Sequence, residues 1–514
     1  MPEWLNDAVF YEIYPQSFYD SNGDGIGDIN GIAEKLEYIQ WLGCNALWIN
    51  PCFDSPFRDA GYDVRDYKKV AARYGSNEDL YRLFRAAHEK GIHVLLDFVP
   101  GHTSEEHPWF RESARPQKNA YSGRYIWTNS AWDIPQPYRF VSGRADRNGS
   151  YLINFFSTQP ALNYGFGKVT ALWQSPCNAP ECAATREAMK DVLRFWLDHG
   201  CDGFRVDMAD SLVKDDDSKK SATGAIWRSV REMLDREYPQ AALVSEWSNP
   251  QLALSYGFHC DFYLNHPGNG YYTLFRDNEN GRQRSFFSAK GKGDITRFLS
   301  DYLPKYRNTR KKGFISFITC NHDTPRMSRD FTPRELALAY SFLFLMPGVP
   351  FLYYGDEIGM PYQADLVSKE GGYDRTGSRT PMQWNSTEPN AGFSSAPAAK
   401  LYLPVDSAAD AVSVSAQSGK ADSLLETVRT VLRLRHAEPD LQAGGDFIPV
   451  YAEAERCPFV FRRGGLLLAF NPSGKETAAP VDARGEILYS LGKLPECSAK
   501  KLAMPPQSCV VVRL

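Results

Sequence analysis

The sequence has no excess of positive charge. Its 58 Lys and Arg residues are balanced by 62 Asp and Glu residues, which gives a formal net charge of −4 at pH 7. A protein that binds nucleic acid needs a basic surface for the phosphate backbone, so this balance argues against nucleic acid as a partner. The chain also has no internal repeat and no low-complexity segment, which argues against repeat architectures and disordered tracts.

A secretory signal is another feature that the sequence lacks. The N-terminal segment MPEWLNDAVFYEIYP has no basic start and no apolar core. The longest apolar stretch, residues 336–354, is interrupted by Pro347, Gly348 and Pro350. Because proline ends a helix, this stretch is predicted to be a buried helix, a turn and a strand rather than a membrane span. We expect a cytoplasmic protein that does not associate with membranes.

The ten cysteines have no recurring spacing. Cys44, Cys201 and Cys320 lie in apolar, strand-like contexts, and they are predicted to be buried free thiols. Cys177 and Cys182 lie close together in the sequence CNAPEC, where they could pair or bind a metal. No second pair at metal-ligand spacing accompanies them, so a pairing or metal role is the less favoured interpretation.

What the sequence does contain is an alternation of strand-like and helix-like patterns. A clear amphipathic helix is marked by apolar residues at helical spacing between Met189 and Leu197. Eight strands are predicted, at residues 8–14, 46–49, 93–99, 203–207, 242–246, 261–263, 315–319 and 349–354. Eight strands separated by helical segments predict an α/β fold, the (β/α)8 TIM barrel.

Two parts of the chain depart from this alternation. Residues 101–184 are rich in Pro, Gly, Ser, Asn and Tyr, and they form a stretch far longer than an ordinary βα loop. We expect them to form an inserted subdomain after strand 3, which overhangs the catalytic face. In residues 443–514, short runs such as PFVFRR and CVVVRL predict a C-terminal antiparallel β-sandwich. The barrel is then assigned to residues 1–100 and 185–442.

Four of the predicted strands end in an acid or a histidine. They are DFVPGH (97–102), GFRVDMAD (203–210), ALVSEW (242–247) and FITCNHD (317–323). The C-terminal ends of the strands meet at one face of a β/α barrel, where such enzymes build their active sites. A single Asp at a strand end is more often a cap or a turn residue. The ordered set instead indicates an enzyme that performs acid/base chemistry on a sugar.

These four segments resemble the signature regions of the α-amylase superfamily, glycoside hydrolase family 13. QPALN and RTPMQW are most similar to the oligo-1,6-glucosidase branch, which includes α-glucosidases, trehalose synthases and sucrose isomerases. The resemblance extends in the expected order over GYDVRDY (61–67), QPALN (159–163), GVPFLYYGDEIGM (348–360) and RTPMQW (379–384).

The resemblance implies that Asp207 is the nucleophile, Glu246 the general acid/base and Asp323 a third catalytic acid. Two carboxyl groups about 5–5.5 Å apart lead to retention of configuration. Glu246 has to stay protonated near neutral pH, which burial and neighbouring carboxylates would promote. Arg205 lies on the same strand face as Asp207 and is expected to keep it ionised. The substrate-binding residues implied by the resemblance are Tyr62, Asp63, His102, Arg205 and His322.

Asp63, with Tyr62 beside it, follows the second predicted strand. In similar α-glucosidases this Asp closes the far end of the pocket and binds the non-reducing glucose, which makes the enzyme exo-acting. The alternative interpretation is a turn that holds a packed tyrosine.

The segment DSNGDGIGD (20–28) places oxygen ligands at alternate positions with glycines between them. This pattern suits a hard cation, although it lacks the final Glu of an EF-hand loop. The resemblance implies a structural Ca²⁺ here, with Mg²⁺ as an option. An Asx-rich turn without metal is the alternative. The implied ligands are the side chains of Asp20, Asn22, Asp24 and Asp28 and the main-chain carbonyl of Ile26.

The sequence departs from the family pattern at three positions. Gly101 stands where the family usually has Asn, which argues against the separate amylase-type calcium site. Ala161 replaces the Asp of the usual QPDLN. Met208 follows the nucleophile, where Val accompanies α-1,6 preference and Thr or Ala accompanies α-1,4 preference. The preferred linkage therefore stays open.

The leading hypothesis is a retaining, exo-acting α-glucosidase that hydrolyses short α-glucosides, oligosaccharides or disaccharides, through a covalent glycosyl-enzyme. The alternative is a transglucosylase or isomerase of the trehalose synthase or sucrose isomerase type. An endo-acting α-amylase is less favoured. A non-catalytic accessory subunit of a membrane transporter is least favoured, because all three acids are present. The sequence leaves open whether the substrate is phosphorylated and which oligomer the chain forms.

Overall fold

The computed structural model describes residues 1–264, 267–279, 282–290, 293–408 and 410–514. Its centre is a parallel eight-stranded sheet in the order β7-β6-β5-β4-β3-β2-β1-β8. Main-chain hydrogen bonds from Thr319 to Phe351 (3.0 Å) and from Phe351 to Phe317 (2.8 Å) close the sheet into a barrel. The predicted TIM barrel is confirmed. Its strands are β1 (Phe10–Ile13), β2 (Ala46–Ile49), β3 (His93–Phe98), β4 (Gly203–Val206), β5 (Ala242–Ser245), β6 (Cys260–Phe262), β7 (Phe314–Ser316) and β8 (Phe351–Tyr353).

Helices cover the barrel, and most of them begin where the sequence supplies a cap or a proline. Ser76 and Thr332 form capping boxes for α3 and α10, and Pro180 opens α5. The described α-helices are α1 (Ile29–Glu34), α2 (Leu36–Leu42), α3 (Asn77–Glu89), α4 (Pro108–Ser113), α5 (Pro180–Asp198), α6 (Ser221–Glu237), α7 (Pro250–Ser255), α8 (Gly270–Phe275), α9 (Ile295–Thr309), α10 (Pro333–Leu345), α11 (Val414–Gln417) and α12 (Leu424–Ala437).

Short 3₁₀ helices and two-stranded ribbons complete the description. The 3₁₀ helices are Glu3–Asp7, Pro15–Ser17, Met327–Arg329, Asp356–Ile358, Tyr373–Ser378, Pro389–Gly392, Ala398–Lys400 and Pro439–Leu441. The ribbons pair Phe53–Asp54 with Asp66–Val70, Phe140–Val141 with Tyr151–Leu152, and Asn278–Glu279 with Arg282–Gln283.

The apolar stretch 336–354 is a helix, a turn and a strand, as predicted. Residues 335–345 of α10 are all buried, because the helix packs between the barrel and the C-terminal sheets. Gly348, at φ +95°, turns the chain after α10 and leads into β8. Within the described ranges, no helix is long and apolar enough to span a membrane.

The stretch between β3 and α5 folds over one side of the barrel. Its own small core stacks Phe110 on Trp127, with ring centroids 5.7 Å apart, and Tyr151 meets both rings. The hydroxyl group of Tyr67, from the barrel, donates to the carbonyl of His102 at 2.8 Å and so ties the start of the stretch to the barrel. This arrangement brings residues of the stretch next to the ends of the barrel strands.

The C-terminal region consists of antiparallel sheets, as predicted. A five-stranded sheet has the order β9-β10-β11-β16-β13, and a three-stranded sheet has the order β12-β15-β14. Apolar residues of both sheets, among them Val460 and Met504, share one buried cluster. The strands are β9 (Ile448–Glu453), β10 (Arg456–Arg463), β11 (Leu466–Asn471), β12 (Thr477–Ala479), β13 (Glu486–Leu491), β14 (Glu496–Cys497), β15 (Leu502–Met504) and β16 (Ser508–Arg513).

All ten cysteines lie in the described ranges, and all are free thiols. Cys44, Cys201 and Cys320 are buried, which confirms their prediction. Cys177 and Cys182 are unpaired as well.

Candidate active site

A cluster of buried acids and bases lies at the C-terminal ends of the barrel strands, with Arg205 at its centre. The Nη1 atom of Arg205 lies 2.8 Å from Asp97 Oδ1 and 3.2 Å from Asp207 Oδ1. Its Nη2 atom lies 2.8 Å from Glu246 Oε1. One guanidinium group thus binds acids that come from β3 and from the ends of β4 and β5. It brings Asp207 and Glu246 together, as the sequence predicts.

The main chain after Asp207 holds Glu246 in place. Met208 has φ +43°, a conformation that residues with a side chain rarely adopt, and its N–H donates to Glu246 Oε2 at 3.1 Å. Burial raises the pKa of Asp207 well above its usual range, and Glu246 adds to this, while Arg205 opposes it. Asp207 therefore retains a proton more readily than an isolated carboxyl group.

Asp323 lies among three positively charged groups. Its Oδ1 atom is 2.7 Å from Arg379 Nη2 and 3.1 Å from Arg375 Nη1, and its Oδ2 atom is 3.3 Å from His322 Nε2. Burial acts to raise the pKa of Asp323, but His322 and the two arginines outweigh it and hold that pKa well below its usual range. Asp323 is therefore ionised at neutral pH.

His322 is fully buried, and both of its ring nitrogens are engaged. Nδ1 lies 2.9 Å from Glu12 Oε1, and Nε2 lies 2.6 Å from the hydroxyl group of Tyr62. Burial acts to lower the pKa of His322, but Asp323 and Glu12 act more strongly in the opposite direction. Together they raise this pKa to about 9. The ring is consequently a cation at pH 7. Tyr62 also donates to Asp97 at 3.1 Å, which joins this group to the Arg205 cluster.

His102 is buried in a different environment. Its Nδ1 atom lies 3.3 Å from the amide nitrogen of Asn154, and its Nε2 atom makes no hydrogen bond in the described part of the chain. Burial lowers the pKa of His102 to about 4, although the main-chain carbonyl of Tyr62 opposes this shift. The ring is neutral at pH 7 and has one nitrogen available for a ligand.

Asp63 lies in a turn beside this cluster, and its predicted role in binding the non-reducing sugar stays a prediction. The side chain is fully buried, and its oxygens accept hydrogen bonds from Ser55 Oγ (2.9 Å) and from the main-chain N–H groups of Arg58 (2.9 Å) and Asp59 (3.1 Å). Burial raises its pKa to about 6. These bonds close a turn, which favours the alternative interpretation of this segment.

Asp59, in the same turn, is the acid that faces the cluster. Gln159 Nε2 donates to its Oδ2 atom at 2.8 Å, and Arg375 Nη2 lies 3.4 Å from its Oδ1 atom. Arg375 thereby bridges Asp59 and Asp323. Sequence reasoning missed Glu12, Asp59 and Arg375, and it gave no role to Asp97 or Arg379, which lie in the DFVPGH and RTPMQW segments.

Residues 12–444 match the family described as alpha amylase, catalytic domain. The chain belongs to the α-amylase family, glycoside hydrolase family 13. It is therefore a glycosidase-type enzyme, and the resemblance drawn from its motifs is confirmed.

Individual relatives carry different activities in their names. A trehalose synthase/amylase of Mycolicibacterium smegmatis is 34% identical, over 86% of this chain and 78% of the relative. An oligo-1,6-glucosidase of Heyndrickxia coagulans is 31% identical, over 85% of this chain and 86% of the relative. The solved structure of an α-glucosyl transfer enzyme, XgtA, has a TM-score of 0.80 at 28% identity and covers 100% of both chains.

The loop 20–28 of this family member contains a series of Asx turns. Asp20 accepts from the N–H groups of Gly23 and Gly25, both at 2.8 Å, and Asn22 and Asp24 accept similarly from residues farther along. Asp28 is engaged as the N-cap of α1. Over the described ranges, no group of three His, Cys, Asp or Glu side chains is placed to hold a metal ion.

The chemistry of this donor set still fits a hard cation. Its side chains and the Ile26 carbonyl offer only oxygen, which Ca²⁺ and Mg²⁺ prefer. Asp20 is 4% exposed, and no salt bridge to Asp20, Asp24 or Asp28 occurs within the described residues. A buried carboxylate without a cationic partner is costly unless other groups compensate for its charge.

Proposed function

We propose that this enzyme is a retaining, exo-acting α-glucosidase that acts on short α-glucosides, oligosaccharides or disaccharides. The observation that carries the proposal is the single guanidinium group of Arg205 bound to both Asp207 and Glu246. Retaining glycosidases need their two carboxyl groups only about 5–5.5 Å apart, whereas inverting enzymes leave room for a water between them. Two acids that share one guanidinium suit the closer arrangement.

In the proposed reaction, Asp207 attacks the anomeric carbon while Glu246 protonates the departing oxygen. The covalent glycosyl-enzyme is then cleaved by a water molecule, from which Glu246 takes the proton. Arg205 favours the ionised form of Asp207 before the attack. Ionised Asp323 and neutral His102 are suited to bind sugar hydroxyl groups around the transition state.

The exo mode of action is supported by the bridge between Asp59, Arg375 and Asp323. Arg375 also donates to the carbonyl of Gly371 at 2.7 Å, which ties the bridge to the loop after β8. We infer that this salt bridge closes the site beside the third acid, so that only one sugar is accommodated on that side. A chain end fits such a pocket, whereas the middle of a glucan does not.

Substitution of Asp59 and substitution of Asp63, the two acids of this turn, should have different consequences. Asp59→Ala removes a charged wall of the pocket, and we expect it to lower kcat/KM by about 10- to 100-fold. It also removes the buried acceptor of Gln159, so we expect it to lower the free energy of unfolding by about 1–3 kcal/mol. Asp63→Asn places an amide N–H group against main-chain donors, and we expect it to lower the free energy of unfolding by about 1–3 kcal/mol. Kinetics and denaturant unfolding of both variants test this. The assignment fails if Asp63→Asn impairs kcat/KM in a folded enzyme while Asp59→Ala does not.

A transglucosylase or isomerase is the second candidate, and the trehalose synthase and α-glucosyl transfer relatives favour it. It shares the glycosyl-enzyme and differs in which acceptor attacks it. The relatives divide between the two activities, so the products have to be measured.

Product analysis by NMR decides between these candidates. We expect sucrose, maltose, isomaltose, trehalose or p-nitrophenyl α-glucoside to release glucose first as the α anomer, and soluble starch to be a poor substrate. A new disaccharide formed faster than glucose would select the second candidate. Oligosaccharides released from starch, or glucose released as the β anomer, would contradict the proposal.

We also propose that the loop 20–28 binds a structural Ca²⁺, or Mg²⁺, through Asp20, Asn22, Asp24, Asp28 and the Ile26 carbonyl. The bound ion would stabilise the folded state by mass action, by about 2.7 kcal/mol at a concentration 100-fold above its Kd. We expect a chelator to lower the thermal midpoint of the native enzyme by a few degrees, added Ca²⁺ to restore it, and the double variant Asp20→Asn, Asp24→Asn to be insensitive. An unchanged midpoint in metal-free native enzyme would refute the site.

The ten free thiols favour a reducing compartment, so a cytoplasmic location is part of the proposal. The proposed partner is the α-glucoside itself.

A further inference from the structure

Three side chains form a hydrogen-bond relay that reaches the active site from the stretch between β3 and α5. Lys214, in the loop after β4, donates from Nζ to the Ser211 carbonyl at 2.9 Å and to Asn154 Oδ1 at 3.2 Å. The Asn154 amide therefore directs its oxygen to Lys214. Its Nδ2 group donates to the carbonyl of Gly101 at 2.9 Å and lies 3.3 Å from His102 Nδ1.

This geometry favours one tautomer of His102. The amide nitrogen of Asn154 is a donor, so Nδ1 of His102 has to be the acceptor, and the proton of the neutral ring lies on Nε2. That atom is buried, and within the described ranges it makes no hydrogen bond. An unpartnered buried N–H group costs free energy, which a hydroxyl group of a bound sugar would recover.

Gly101 makes the relay possible. A Cβ atom at position 101 would lie 2.9 Å from Asn154 Nδ2, closer than such contacts normally allow. Any side chain there would displace the amide from His102 and from the Gly101 carbonyl. Asn154 can therefore reach His102 only because position 101 is glycine, where the family usually has Asn.

We propose that Asn154, oriented by Lys214, is a positioning residue that holds His102 as its Nε2–H tautomer, so that this N–H group recognises one hydroxyl of the substrate sugar. The role in recognition rests on the proposed α-glucoside activity. The tautomer itself can be observed without turnover, so the two parts fail separately.

The first measurement is NMR of enzyme labelled with ¹⁵N-histidine, with His102 assigned from a His102→Gln variant. We expect the native enzyme to show a protonated Nε2 and an unprotonated Nδ1. Asn154→Asp should reverse this, because its carboxylate accepts from Nδ1–H, and Lys214→Met should give a mixture of the two forms. Asn163→Ala is the matched control, since Asn163 lies in the same stretch and bonds the Gly123 carbonyl at 3.1 Å.

The second measurement is kcat/KM for a series of monodeoxy p-nitrophenyl α-glucosides. In His102→Gln, removal of one particular hydroxyl group from the substrate should no longer lower kcat/KM. That hydroxyl group is the one that His102 recognises. We expect removal of this hydroxyl group to lower kcat/KM by about 10- to 100-fold in the native enzyme and in Asn163→Ala. In Asn154→Asp the decrease should be less than about 3-fold. The proposal would be overturned if His102 of the native enzyme carried its proton on Nδ1. It would also be overturned if Asn154→Asp changed neither the tautomer of His102 nor the decrease in kcat/KM with the monodeoxy substrate. If no α-glucoside is turned over, the proposed function fails and the NMR result alone decides the relay.

Discussion

Asp207→Asn is expected to lower kcat by about 10⁴-fold or more on every substrate, because an amide cannot form the glycosyl-enzyme. Asp207 is placed for attack by its position at the end of β4 and by its ion pair with Arg205. Asp210→Asn, in the same GFRVDMAD segment, is the matched control and should turn over near the native rate.

Glu246→Gln should differ from Asp207→Asn in its dependence on the leaving group. Loss of a general acid costs about 10²- to 10⁴-fold where the departing oxygen needs a proton, as in maltose. With α-glucosyl fluoride no proton is needed, so the first step should be much less impaired. Azide should then give α-glucosyl azide with Glu246→Ala and β-glucosyl azide with Asp207→Ala. Equal losses on both kinds of substrate would contradict the role of Glu246.

Arg205→Leu has the second largest expected effect, because it leaves the buried Asp97 and Asp207 and the partly buried Glu246 without their cation. Removal of one partner of a buried ion pair costs about 3–5 kcal/mol of unfolding free energy. The pKa of Asp207, already raised by burial, should rise further, so the acidic limb of kcat/KM should move to higher pH. The loss of stability should be smaller in acid, where the carboxyl groups are protonated and need no partner, and larger as the pH rises.

Arg326→Leu is the matched control for this prediction. Arg326 is as deeply buried as Arg205, and its Nη1 atom lies 2.7 Å from Asp356 Oδ1, away from the proposed catalytic pair. We expect a comparable loss of stability and no shift of the acidic limb of kcat/KM. An equal shift in both variants would mean that Arg205 acts only through general stability, and an unshifted limb in Arg205→Leu would mean that it does not tune Asp207.

Much of the fold could be predicted because its signals are local. The strands and α10 are marked by short apolar runs, and Pro347 and Pro350 mark where the helix ends. The convergence of Asp207 and Glu246 follows from strand ends that meet at one face of a barrel. Such patterns need no knowledge of loop conformation.

The residues that were missed depend on loop conformation and on distant contacts. Asp59 and Asp63 lie in one turn, and only the turn's own hydrogen bonds decide which carboxylate faces inward. Arg375 reaches Asp323 from a loop that carries no local signal of its role. In the same way, the link between Gly101 and Asn154 appears only when the two segments are folded together.

The most direct test of the central claim is to trap the covalent intermediate with 5-fluoro-α-glucosyl fluoride and to locate the label by peptide mass spectrometry. The electron-withdrawing fluorine slows the breakdown of a glycosyl-enzyme. We predict one fluoroglucosyl group, attached to Asp207 within GFRVDMAD, and none in Asp207→Asn. A label on another residue, or turnover without any covalent label and with β-glucose as the first product, would contradict the double displacement.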